Sequence, residues 1–164
     1  MKNFALVIVL TLNVFFTDAQ ETHEKRLCVI DSISLLSDAE KTKLTEQILD
    51  LESTVGSQIA ILAIDTLNGE SIESFSLRTA NSWGLGRNEY NDGLLITIAF
   101  RDRKIRIEVG YGLENIIKDE IAARIIREDI VLYFRNGKYF EGLYHAVDNI
   151  VRLIKDNQHL LEKH

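Results

Sequence analysis

The sequence contains no proline and one cysteine among its 164 residues. Without proline, tight turns fall to Gly, Asn, Asp and Ser. A lone Cys28 excludes an internal disulfide. Set among Leu27, Val29 and Ile30, it reads as a small buried apolar residue. Cations are outnumbered, 19 Lys and Arg against 25 Asp and Glu, for a net charge of −6. That balance argues against nucleic acid, which needs clustered cations to displace its counterions.

The four histidines, His23, His145, His159 and His164, lack ligand spacing, and His145 falls off the apolar face of its helix as a solvated residue. No Gly-x-Ser-x-Gly elbow and no phosphate loop occur. The pairs Gly84-x-Gly86 and Gly110-x-Gly112 lack the third glycine of a dinucleotide loop; Glu89 and Asn115 stand there instead.

What is present begins with a leader. Lys2 precedes an apolar run from Phe4 to Phe16, and Thr17-Asp18-Ala19 supplies small residues before Gln20. That layout predicts a secretory signal over residues 1–19, cleaved after Ala19, and hence export to the periplasm or medium. The run is too short to span a bilayer, which takes about 20 apolar residues. No later segment is long and apolar enough to do so. Residues 20–26 are polar and are expected to form a flexible N-terminus.

Beyond the leader, two hydrophobic periods alternate. Leu27–Ile30 reads as a short buried strand ending at Asp31. Ser37-Asp38-Ala39-Glu40 is a capping box that starts a helix running to about Thr54, with Gly56 as its stop. Residues 58–64 are almost wholly apolar, as in a strand covered on both faces. A second helix starts near Ser71 with Ile72, Phe75, Leu77 and Ala80 inward and Trp83 capping the core.

Residues 93–100 form another doubly covered strand. After the Arg101-Asp102-Arg103 turn, residues 104–109 alternate with period two, as in a strand with one wet face. Two helices follow. The first carries Ile121, Ile125 and Ile126; the second, after a break at Asn136-Gly137, carries a stripe from Phe140 to Ile154. The order βαβαββαα, with right-handed crossovers, predicts a Rossmann-like three-layer α/β/α sandwich around a mixed four-stranded sheet.

In that sheet Asn91-Asp92 lies beside Gly110-Tyr111-Gly112 at one edge, with Glu114 and Asp119 close behind and the 83–87 segment opening nearby. Carboxylates and carbonyls on glycine-rich loops suit a hard cation, calcium above all, because every donor is oxygen. The same residues also suit plain roles: Asn91-Asp92-Gly93 as turn chemistry and Asp119 as a helix start. Arg87 offers a contact for a phosphate or carboxylate, or pairs with Glu89 on the surface. Parallel strands place Asp31 at the opposite edge.

Several short stretches together are similar to the TPM domain family. They are Val29-x-Asp31, Thr54-Val55-Gly56-Ser57-Gln58-Ile59 and Leu67-Asn68-Gly69-x-Ser71-Ile72-Glu73, then Trp83-Gly84-Leu85-Gly86 and Asn91-Asp92-Gly93-Leu94-Leu95-Ile96, and finally Asp102-Arg103-Lys104, Gly110-Tyr111-Gly112-Leu113-Glu114 and Asp119. The resemblance covers roughly residues 27–155 and sets the domain at 27–157, with a tail at 158–164. It implies an α/β/α sandwich outside the cytoplasm, binding of calcium or another divalent ion, and weak acid phosphatase activity. It also implies auxiliary roles beside membrane or envelope proteins.

The family's acids fall on Asp31, Asp92, Glu114 and Asp119, so the resemblance groups Asp31 with residues that the strand order separates from it. Three expectations follow: a cation-binding domain, a metal-assisted phosphatase in which Arg87 holds the ester, and an adaptor for a membrane or envelope complex. The family often has proline in its C-terminal helical region; here Ile130-Val131-Leu132 has none, predicting a softer bend.

Overall fold

The structure is a computed structural model that describes residues 28–163. The expected signal segment 1–19, the polar segment 20–26 and Leu27 lie outside the described residues.

Four strands form one sheet in the order β1 (Val29–Asp31), β2 (Gln58–Ile64), β3 (Gly93–Ala99), β4 (Lys104–Val109). The first three are parallel, and β4 turns back antiparallel to β3. The layered α/β architecture inferred from the alternating periods is therefore the one adopted. Every residue of β3 is buried, which is why its sequence carries no polar alternation.

Helix α1 (Asp38–Thr54) begins at the expected capping box. Ser37 and Glu40 satisfy one another's backbone amides. Leu44, Ile48 and Leu51, spaced at helical intervals, are buried. This helix and α5 (Tyr139–Asp156) cover one face of the sheet, where most of the core gathers: Ile59, Ile61, Leu94, Ile96 and Ile98 meet Val147 and Ile150.

The other face is thinner. Helix α2 (Ile72–Ser82), capped by Ser71, packs Phe75 and Ala80 over Ala60, Leu62 and Leu95. Leu77 is 52% exposed, contrary to the expected stripe. It lies five residues past Ile72, about 140° around the helix at 3.6 residues per turn. Ser76 and Thr79 take the inward positions, and the Ser76 hydroxyl donates to Thr97 at 2.9 Å. Trp83 is 37% exposed and does not cap the core. Leu85, two residues on, fills that place against Ala60, Leu62 and Leu95.

After β4 the chain makes a short 3₁₀ turn (Tyr111–Leu113) and enters α3 (Asp119–Ile125). A π-helical turn (Ile126–Val131) and α4 (Leu132–Phe134) continue it. Ile125 and Ile130 are both fully buried. Five residues in an α-helix would splay them by about 140°; the wider π turn returns both to one face. Without proline, this turn provides the irregularity in the helical run. His145 is exposed on α5 and stacks on Tyr133, with ring centroids 5.0 Å apart.

Candidate functional site

Where β2 and β3 begin, three loops converge. Gly110 N–H donates to the Gly93 carbonyl at 2.7 Å, and Gly112 N–H to the Asn91 carbonyl at 3.0 Å. The 84–91 loop closes on the same place. Gly86 has φ +99 and lies so close to the backbone of Gly93 that a Cβ would collide with it. At Gly112 a Cβ would run into the Tyr90 carbonyl. The predicted meeting of the Asp92 loop with the 110–112 segment is therefore real, and it is a seam of backbone against backbone.

Asp92 sits inside this seam, fully buried. Its Oδ1 accepts the Arg87 backbone N–H at 2.8 Å. Its Oδ2 accepts the Arg87 guanidinium through Nε at 2.9 Å and Nη2 at 2.5 Å, and the Ser57 hydroxyl at 3.0 Å. Both oxygens thus already hold protein donors. A buried charge persists when it is paired and hydrogen-bonded in this way.

Arg87 does not pair with Glu89, which meets Lys163 at 2.7 Å. That hydrogen bond holds the Glu89 carboxyl below its ordinary range, with the lysine's charge adding to it. The Arg87 guanidinium lies 3.9 Å from the Tyr90 ring centroid, sandwiched between ring and carboxylate. It is spent on the fold rather than offered to an anion.

Asp31 ends β1 opposite Ala63, whereas Asp92 precedes Gly93, the partner of Gln58. Asp92 is thus level with Ser57, six residues back from Ala63, about 20 Å along the sheet. Asp31 accepts from Ile33 N–H at 3.2 Å and Leu36 N–H at 2.8 Å, fastening the β1–α1 loop. The strand-order expectation is the one the fold adopts; the grouping of Asp31 with Asp92 is not assembled.

Glu114 and Asp119 do come together. Both line a hollow of about 350 Å³ beside β4, with Arg106, Glu108, Lys118 and Glu120. Glu108 is tied to Arg106 at 2.6 Å. Among the described residues, Glu114, Asp119 and Glu120 have no side-chain partner, and no three or more His, Cys, Asp or Glu side chains converge as a ready metal cage. The four proposed ligands are therefore divided: Asp31 at one edge, Asp92 buried, and Glu114 with Asp119 in an open hollow.

The arrangement matches known proteins over most of its length. The TPM domain sequence pattern covers residues 29–153. The chain belongs to the TPM domain family. Among solved structures, this TPM domain is similar to the N-terminal domain of a protein from P. gingivalis. The TM-score is 0.76 at 28% identity, over 87% of this chain and 89% of that one. A protein from the psychrophilic bacterium Bizionia argentinensis shares the fold, with a TM-score of 0.66 at 16% identity, over 80% and 88% of the two chains. So does the N-terminal domain of a protein from Corynebacterium glutamicum, at 0.62 and 11%, over 90% and 86%. No curated protein matches the sequence.

The Arg87–Asp92–Ser57 brace escaped the sequence reading. The available signal was the pair of glycines, Gly86 and Gly93, that bracket Arg87 and Asp92 and let the loop ends close on each other. A second missed feature lies at the far edge. Arg103 and Lys104, read only as turn and strand start, meet Arg135 from α4's end around an apolar hollow.

Proposed function

We propose that this TPM domain is an exported divalent-cation binder, calcium being the best fit, with the ion held in the hollow beside β4. The observation that carries the reading is that Glu114, Asp119 and Glu120 line one open hollow as carboxylates without a side-chain partner among the described residues. The unpaired acids of its lining offer oxygen donors, beside Lys118 and an Arg106 already tied to Glu108, and calcium accepts irregular sets completed by carbonyls and water. With few ligands and no preformed cage, affinity belongs in the weak range of extracellular modules, on the order of 10⁻⁴ to 10⁻³ M. Export rests on the leader in residues 1–19. Phosphomonoester hydrolysis ranks below binding, because Arg87 is turned onto Asp92.

A residue-by-residue amide titration with calcium tests it. Saturable shifts are expected at residues 106–109 and 114–120, and Asp31→Asn is expected to leave them unchanged. If the Glu114→Gln/Asp119→Asn double variant binds calcium as the parent does, or no amide moves at millimolar calcium, the reading is wrong.

A further inference from the structure

We propose that the hollow at the tip of the β3–β4 hairpin docks an acidic segment of a partner protein, one that sets an apolar or aromatic side chain beside its carboxylates. This inference is independent of the cation reading, since it rests on other residues, at the opposite end of β4. The hollow holds about 700 Å³, within the range that buries a ligand or an anchoring side chain. Ile98, Ile105, Val131 and Phe134 give it an apolar lining. The rings around it are fixed. Tyr139 meets Phe100 edge-to-face at 5.7 Å and Phe134 at 5.1 Å. An anchor would enter a preorganised site, so little ordering entropy opposes binding.

Charge selects the partner. Arg103, Lys104 and Arg135 line the hollow and are exposed. Among the described residues their side chains have no partner. Nearby acids are engaged elsewhere. Asp65 is bound to Arg101 at 2.6 Å, and Asp102 accepts from Leu67 N–H at 2.6 Å and from the Thr66 hydroxyl. Glu73 lines an adjoining hollow with Arg103 and Lys104 but forms no ion pair with them. In a chain of net charge −6, three unpaired cations around an aromatic hollow stand out.

Two of these cations come from the hairpin and the third from the end of α4, so they bracket the hollow rather than forming one point contact. Phe100, 40% exposed, projects apolar surface at its margin. β4 is also an edge strand, so an extended segment can continue along it from Lys104. A peptide satisfies all three features, whereas a compact anion meets only the charge.

The test is an amide titration of the full chain with the blocked peptide Asp-Glu-Phe-Glu-Leu-Asp. Its neutral counterpart Asn-Gln-Phe-Gln-Leu-Asn and phosphatidylcholine vesicles carrying phosphatidylglycerol are run in parallel. Saturable shifts are expected at residues 98–105 and 131–139. Arg103→Glu/Arg135→Glu, both surface changes, should weaken the acidic peptide about tenfold or more, with amides elsewhere unmoved. Added salt should weaken it as the screening length shrinks below about 10 Å. Four results would overturn the proposal: no shift with the acidic peptide, equal binding of the neutral one, undiminished affinity in the double variant, or shifts with the vesicles alone. The last would assign the surface to an anionic lipid face.

Discussion

At the edge where β2 and β3 begin, backbone packs on backbone: Gly86 against Gly93, Gly112 against Tyr90, with buried Asp92 paired to a half-buried Arg87 at the centre. At the edge where they end, side chains fasten the loops instead. Asp31 holds Ile33 and Leu36, Asp102 holds Leu67, and Arg101 meets Asp65 in solvent. At the first edge the seam of loop ends around Asp92 is filled, and open space lies only beside it, along the end of β4. The second is open, with a hollow between hairpin and helix. In this domain the glycine-rich, acid-bearing loops that attract attention in the sequence are chiefly architectural. The chemically unspent side chains lie beside the free strand and at the hairpin tip.

The sharpest test of that contrast is to remove one arginine from each edge. Arg87→Met strands the buried Asp92 carboxylate without its counter-charge and is expected to cost about 3–5 kcal/mol in denaturant unfolding. Arg101→Met breaks a pair that water already screens, and the unfolding midpoint should not move measurably. Equal losses from the two variants would abolish the distinction.

Glycine replacements come next. Gly112→Ala pushes a methyl group into the Tyr90 carbonyl and should cost about 1–3 kcal/mol, beyond what backbone conformation explains. Gly69→Ala, at φ +91 with open space around it, meets only the conformational penalty, about 1–2 kcal/mol. A nuclear resonance signature separates them: shifts spreading through 86–93 for the first, confined to the 66–70 turn for the second.

The smallest effect concerns pH. The Ser37 hydroxyl, then its amide, hold the Glu40 carboxyl below the ordinary range. A lowered carboxyl stabilises the fold above its unfolded value and loses that contribution as pH falls through the folded one. Glu40→Ala should therefore cost about 0.5 kcal/mol near neutrality. The gap to the parent should close in acid below the usual glutamate range. A gap that persists there would place the effect in packing rather than charge.

Much of the fold was legible because it rests on local rules. The Ser37–Glu40 box, the Ser71 cap, the stop near Gly56 and the period of each strand are set by neighbours within a few residues. Leu77 and Trp83 were misplaced because a helix of eleven residues over a face of small side chains buries a narrower arc than apolar character alone suggests. The site was less legible. Glu114 and Asp119 lie five residues apart, and their meeting could be read from chain distance. Arg87's true partner could not, since Glu89 is nearer in sequence and equally acidic.

Which segments become helix or strand, and that three strands run parallel before a hairpin closes the sheet, follow from periodicity, caps and the handedness of crossovers. Those forces act over short stretches of chain and are written wherever the residues are. Whether a given carboxylate is a free ligand or a bound strut depends on burial and on donors brought from elsewhere. Ser57 reaches Asp92 across 35 residues, and Arg135 joins Arg103 only after α3, the π turn and α4 have packed. Solvation and pairing are properties of the assembled surface, so they were decided there.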